Sequence, residues 1–205
     1  MPFPVLLIAL ASQSSQSPQS PQSPVGDSVV YTLTPASRLE VHTGKAGLLG
    51  FAGHEHVIRA RAFTGHLSYH RAAPDRSHID LVIPTDSLEV LTPPDTEEIR
   101  KVTAAMRTET LDVPQYPRIT FVSRSITWSG SKVHLLGALT IRNVTRDVPV
   151  NAQVVIDGDT LRASTTFVVK QTAFGIKPYR GGPGGTVRVA DDVTFDIRIV
   201  AARKL

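Results

Sequence analysis

From Thr160 to Lys170 the chain alternates with a period of two. Leu161, Ala163, Thr165, Phe167 and Val169 fall on one face, and Thr160, Arg162, Ser164 and Thr166 on the other. Side chains of a strand point alternately to opposite faces, so this pattern describes a strand with one buried side and excludes a helix. The pattern recurs at the C-terminus, where Val193, Phe195, Ile197 and Ile199 interleave with Thr194, Asp196 and Arg198. Asp157-Gly158 precedes the first of these strands. A dipeptide of this kind between two alternating runs predicts a tight hairpin with a type I′ turn, because both central residues then need positive φ. Long strands joined by hairpins call for an antiparallel sheet that disposes of its own edges.

The rest of the folded region extends this reading. Val29–Thr34 and Ser37–Thr43 form two short strands around Pro35, followed by His56–Ala62 and Thr64–His70. Ile79, Leu81 and Ile83 alternate with Asp80 and Val82. Ile119–Trp128 turns at Ser129-Gly130 into Val133–Ile141, and Asp147–Ile156 runs into the Asp157-Gly158 turn. One helix is expected. Asp95 caps it, Glu97 and Glu98 oppose its dipole, and Ile99, Val102 and Met106 recur at helical spacing until about Thr108. About eight strands, turn signals every 8–12 residues and one internal α-helix predict an all-β fold, an antiparallel barrel or sandwich, and the long strands joined by tight hairpins favour an eight-stranded antiparallel barrel.

The N-terminus is of a different kind. Residues 1–26 contain no Lys, Arg, Asp or Glu. Phe3–Leu10 is apolar and Ala9-Leu10-Ala11 fits the small-x-small rule, which predicts a signal peptide over residues 1–11, though no basic residue precedes it. Ser12–Pro24 consists only of Ser, Gln and Pro, so residues 12–26 read as a linker that buries nothing. The barrel domain then spans 27–205, and the expected location is periplasmic or secreted. The absence of cysteine excludes disulfides, thiolate metal sites and a cysteine nucleophile. With 22 basic and 18 acidic residues the surface is mixed, and scattered Lys and Arg give no nucleic-acid stripe.

Several segments resemble the YceI-like family of periplasmic, lipocalin-like proteins. Met106–Ser123 is similar to its segment with Asp-Val, Tyr-Pro and "I-x-F-x-S". Gly137–Val150 resembles its "G-x-L-T-I-x-G-V-T-x-x-V" signature, with Asn143 in place of the usual Gly. Gln171–Gly175 looks like its "R-x-x-F-G" stretch, with Gln171 where Arg is common, and Val189–Phe195 is similar to its closing "D-x-V" strand. The resemblance implies a lipocalin-like barrel around an apolar tunnel, export, and binding of a long-chain isoprenoid or acyl lipid without catalysis or a cofactor.

An eight-stranded barrel is just wide enough to hold a small ligand, and an aromatic content of only 6% leaves room inside. Candidate tunnel residues are Phe121, Leu139, Ile141, Leu161, Phe167, Val169 and Phe195, although alternation names a face without saying which side is inside. His54 and His56 in Gly-His-Glu-His share a face if the segment is extended. They are candidates for a metal pair, for hydrogen bonds to a ligand headgroup, or for a plain surface pair, and no third metal ligand is nominated by the sequence. Lys177 and Arg180 precede a glycine loop, Gly181-Gly182-Pro183-Gly184-Gly185. No helix pattern follows it, so it reads as an inter-strand loop, with the two cations as candidates for a barrel mouth and an anionic headgroup. No nucleophile elbow, phosphate-binding loop or dinucleotide fingerprint is present. The partner expected is a hydrophobic small molecule, with contact to a membrane surface and homodimerisation both compatible with this reading.

Overall fold

The computed structural model describes residues 28–46, 55–91, 96–181 and 187–204. The signal and linker segments, His54, Asp95 and the glycines at 182 and 184–185 lie outside them. Twelve strands form one sheet: β1 Ser28–Leu33, β2 Arg38–Ala46, β3 His56–Ala60, β4 Thr64–His70, β5 His78–Pro84, β6 Leu88–Val90, β7 Arg118–Ser129, β8 Lys132–Ile141, β9 Val144–Asp157, β10 Thr160–Lys170, β11 Arg180–Gly181 and β12 Val187–Arg203.

Eight of them close an antiparallel ring in the order β1-β4-β5-β7-β8-β9-β10-β12 and back to β1, where Tyr31 faces Arg203 and Leu33 faces Ala201. β12 is long enough to do two jobs. Its C-terminal end pairs with β1, while Arg188–Arg198 pairs with β2, which pairs with β3 and then β6. β1/β2, β3/β4 and β5/β6 are therefore three wall strands, each interrupted once. The interruptions fall at Pro35, at 61–63 and at the 3₁₀ turn Thr85–Ser87. Proline cannot donate to a ladder, which accounts for the first break.

α1 spans Thr96–Ala105, with Glu97 and Glu98 in its first turn and a 2.8 Å Glu97–Lys101 ion pair. It ends earlier than periodicity suggests and continues as a π-helical turn, Met106–Thr110. Ile99 and Val102 pack against the core and Met106 is buried in it. The helix lies beside β6, whose far edge pairs with no strand among the described residues. Arg107 caps that edge by donating to the Asp86 and Leu88 carbonyls at 2.8 and 3.4 Å.

Hairpin registers correct the expected turns by one residue. Ser129 pairs with Lys132 and Asp157 with Thr160, so the loops are Gly130-Ser131 and Gly158-Asp159. Only the glycine of each has positive φ, 62° and 54°, as a type II′ turn requires. The type I′ pattern appears instead at Arg142-Asn143, with φ of 50° and 59°. The Asn where glycine is usual fits there, because asparagine tolerates the left-handed region.

Candidate functional site

The inner faces of the strands enclose two chambers in line along the barrel, of about 150 and 120 Å³. The upper one is lined by, among others, Leu67, Leu81, Phe121, Leu139, Leu161 and Phe167, and its wall exposes no polar surface. The lower one lies toward α1 and includes Ile58, Met106, Leu111, Ile141, Ile176 and Val193. Leu39, Ile83, Ile119, Phe195 and Ile197 border both and form a waist. The Phe167 and Phe195 rings, directly opposed across β10 and β12, stack there with centroids 5.0 Å apart and planes 11° apart. Each chamber is smaller than the roughly 300–1,000 Å³ common for ligand pockets.

Gly137 sets the width of the upper chamber. A Cβ at that position would lie 2.0 Å from Phe121 Cζ, so the Phe121 ring rests on bare backbone. Any side chain there would push the ring into the lumen.

Aromatic side chains crowd the upper end. Trp128, the sole tryptophan, lines the chamber and meets Tyr69 with centroids 5.3 Å apart. Its backbone N–H donates to Asp75 Oδ1 at 2.9 Å, while its indole Nε1 is buried without a hydrogen-bond partner among the described residues. Tyr31 is fully buried and donates to the Gly158 carbonyl at 3.3 Å.

The lower end carries the polar groups. Thr43, Thr110 and Gln171 reach the chamber wall. Gln171 is buried, and its Nε2 donates to the Ala190 carbonyl at 2.8 Å. The 3₁₀ turn Gln171–Phe174 is pinned to β12 by Asp191, which accepts from Thr172 N at 2.9 Å and from Thr172 Oγ1 at 2.8 Å. These two bonds, the backbone one foremost, hold the Asp191 carboxyl below its ordinary range. On the outside near β6, the Arg61 hydrogen bond lowers Glu89 in the same direction.

Of the tunnel residues named from sequence, Phe121, Leu139, Leu161, Phe167 and Phe195 border the upper chamber, and Ile141 and Phe195 the lower. Val169 is buried directly opposite Val193, which borders the lower chamber, but is not itself among the residues that border either chamber. His56 lies opposite Thr43 on the inner face shared with Ile58 and Ala60, and its N–H donates to Thr43 Oγ1 at 3.2 Å. Lys177 and Arg180 are exposed just outside the lower end. Gln171, Leu39, Met106 and Leu111 were missed. Gln171 had a signal in its place within the glycine-terminated Gln-Thr-Ala-Phe-Gly stretch; the others lie on irregular or interrupted segments.

His56 does not belong to the group of metal-ligating side chains that converges among the described residues. That group is Glu40, His42 and Asp196, on the outer face of β2 and β12. Arg59 donates twice to Glu40 Oε1, at 2.7 and 2.5 Å, while Arg38 stands 4.0 Å from Glu40 and Arg198 3.6 Å from Asp196. Three guanidiniums thus outnumber two carboxylates, an ion-pair network with little to offer a divalent cation.

The YceI-like domain model matches residues 31–201. Protein YceI of Salmonella arizonae is 27% identical over 97 residues, 47% of this chain and 48% of the relative, so the chain spans about half the length of the curated relatives it matches. Burkholderia cenocepacia BcnA superposes with a TM-score of 0.65 at 20% identity, over 83% of this chain and 99% of that one. A polyisoprenoid binding domain from Saccharophagus degradans, implicated in plant cell wall breakdown, gives 0.59 at 13% identity, over 85% and 98%. The Campylobacter jejuni YCEI protein gives 0.55 at 17%, over 72% and 84%. These likenesses show the fold.

Proposed function

The chain belongs to the YceI-like domain family, and from that premise we propose that it binds the chain of an isoprenoid or acyl lipid inside the barrel and carries or sequesters it without chemical change. The observation that carries this reading is the wholly apolar upper chamber continuing through the Phe167–Phe195 waist into a lower chamber edged by Thr43, Thr110 and Gln171. Burial is worth about 0.8 kcal/mol per CH₂, so a long chain has ample driving force with few specific contacts. The polyisoprenoid-binding activity named for the Saccharophagus degradans domain supports this ligand class. The chain's apolar Phe3–Leu10 run supports a location outside the cytoplasm.

Trp128 supplies the test. As the sole tryptophan, bordering the upper chamber, it reports directly on what enters. Titration with geranylgeraniol and with a brominated palmitate should change its emission saturably, with quenching by bromine. Organic extracts of the native protein should yield a prenyl or acyl species by mass spectrometry. No emission change with either probe, together with empty extracts, would overturn the reading.

A further inference from the structure

We infer that the lower mouth docks on an anionic lipid surface through the β11–β12 hairpin, using Lys177, Tyr179, Arg180 and Arg188. The inference rests on the proposed lipid cargo and adds the place where cargo passes between barrel and membrane. β12 runs past Val193, which borders the lower chamber, to Val187, and there it pairs with β11. The described part of this strand pair therefore lies beyond the last β12 residue that borders the chamber. Ile176 borders the chamber, and the next residue, Lys177, is exposed.

Charge sets this hairpin apart. Arg180 and Arg188 are direct cross-strand partners and both are exposed. Like charges placed opposite each other destabilise a ladder, so the arrangement calls for an anion from outside. None of Lys177, Arg180 and Arg188 has an ion pair among the described residues. The nearby acids are engaged: Thr172 holds Asp191, Lys170 pairs with Asp192 at 3.2 Å, and Glu55 has a partner of its own. Tyr179 is 41% exposed between the cations, and its carbonyl accepts from Val189 N–H at 3.0 Å, which holds it to the hairpin. An exposed tyrosine among unpaired basic residues suits the bilayer interface, where the ring buries and the hydroxyl stays wet.

Each basic side chain at an anionic membrane contributes about a fivefold factor in binding, ~1 kcal/mol. Three give weak, reversible docking, which suits a carrier that must leave with its load.

The test is co-sedimentation of the full chain with phosphatidylglycerol-containing vesicles and with pure phosphatidylcholine vesicles. We expect binding to the first alone, weakened by salt. Arg180→Glu/Arg188→Glu should lower it at least 20-fold, and Tyr179→Ser should lower it several-fold. The Trp128 response to geranylgeraniol should persist in each variant, because these side chains lie outside both chambers. Equal binding to both vesicles, no binding to either, or charge-reversal variants that bind like wild type would overturn the docking inference. Loss of the geranylgeraniol response in wild type would overturn the lipid-binding reading instead, so the two failures are distinguishable.

Discussion

The two chambers are built from the same strands but differ in how their walls are held. Around the upper one the ladders run with little interruption: β7 pairs with β8 from Thr120 to Ser129, and β10 with β12 along eleven consecutive residues. Around the lower one the wall is assembled from β2, β3 and the three-residue β6, with α1 and its π turn beside β6. Continuous ladders leave only side chains to face inward, so the upper chamber can expose no polar surface. Interrupted ladders leave ends that need hydrogen-bond partners, which is why Thr43, Gln171 and Arg107 appear near the lower mouth.

The sharpest way to break this contrast is to remove equivalent bulk from each chamber. Leu161 is almost fully buried in the upper wall, so Leu161→Ala should cost about 2–5 kcal/mol. That corresponds to a melting temperature lower by roughly 5–15 °C. Ile58→Ala, half-buried in the lower wall, should cost about 1–2 kcal/mol. Equal losses in thermal melts would show that the two walls are equally rigid.

Next in size is Glu40→Gln, which leaves Arg59 without its carboxylate on the outside of the lower wall. A loss of about 1–3 kcal/mol is expected by denaturant unfolding, with the geranylgeraniol response intact. Disappearance of that response would mean the outer ion pairs set the shape of the lumen.

Gly137→Ala sharpens the contrast from the other direction. It should turn the Phe121 ring into the upper chamber, cost about 1–3 kcal/mol by overpacking, and weaken geranylgeraniol affinity about tenfold. Unchanged affinity would place the tail elsewhere.

The smallest effect concerns pH. The Asp191 carboxyl titrates below its unfolded value, so its support for the Thr172 turn is complete above the ordinary aspartate range, about pH 4. That support is lost as the pH falls through the lowered folded value. Protection of the Thr172 amide, taken as the ratio of intrinsic to observed hydrogen-exchange rate at each pH, should fall in acid, and Asp191→Asn should show the lower protection already at neutral pH. A protection ratio in wild type that does not change with pH would remove Asp191 from the mouth.

Much of the fold was legible. The alternation from Leu161 to Val169 and from Val193 to Ile199 marks inner faces, and six of the seven tunnel residues read from sequence border a chamber. The misses have physical causes. Val169 obeys the same period as Phe167 and stands opposite Val193 of the lower chamber, yet does not itself border either chamber. Leu39 and Met106 lie where a proline or a helix end interrupts the pattern, so periodicity did not reach them. Turn chemistry was visible as glycines, but the register that selects type II′ comes from pairing along the whole hairpin.

By itself, then, the sequence determined the strands, the hairpins, the lone helix and the family, because period-two alternation and turn residues act over a few neighbours. Tertiary structure decided the sense of curvature, the closure and the two chambers. Closure depends on partners far apart in the chain, as when Thr34 Oγ1 donates to the Val200 carbonyl across 166 residues. The nest of Phe121 on Gly137 and the cross-strand meeting of Arg180 with Arg188 likewise exist only once strands lie side by side. No local pattern encodes which residue will stand opposite another.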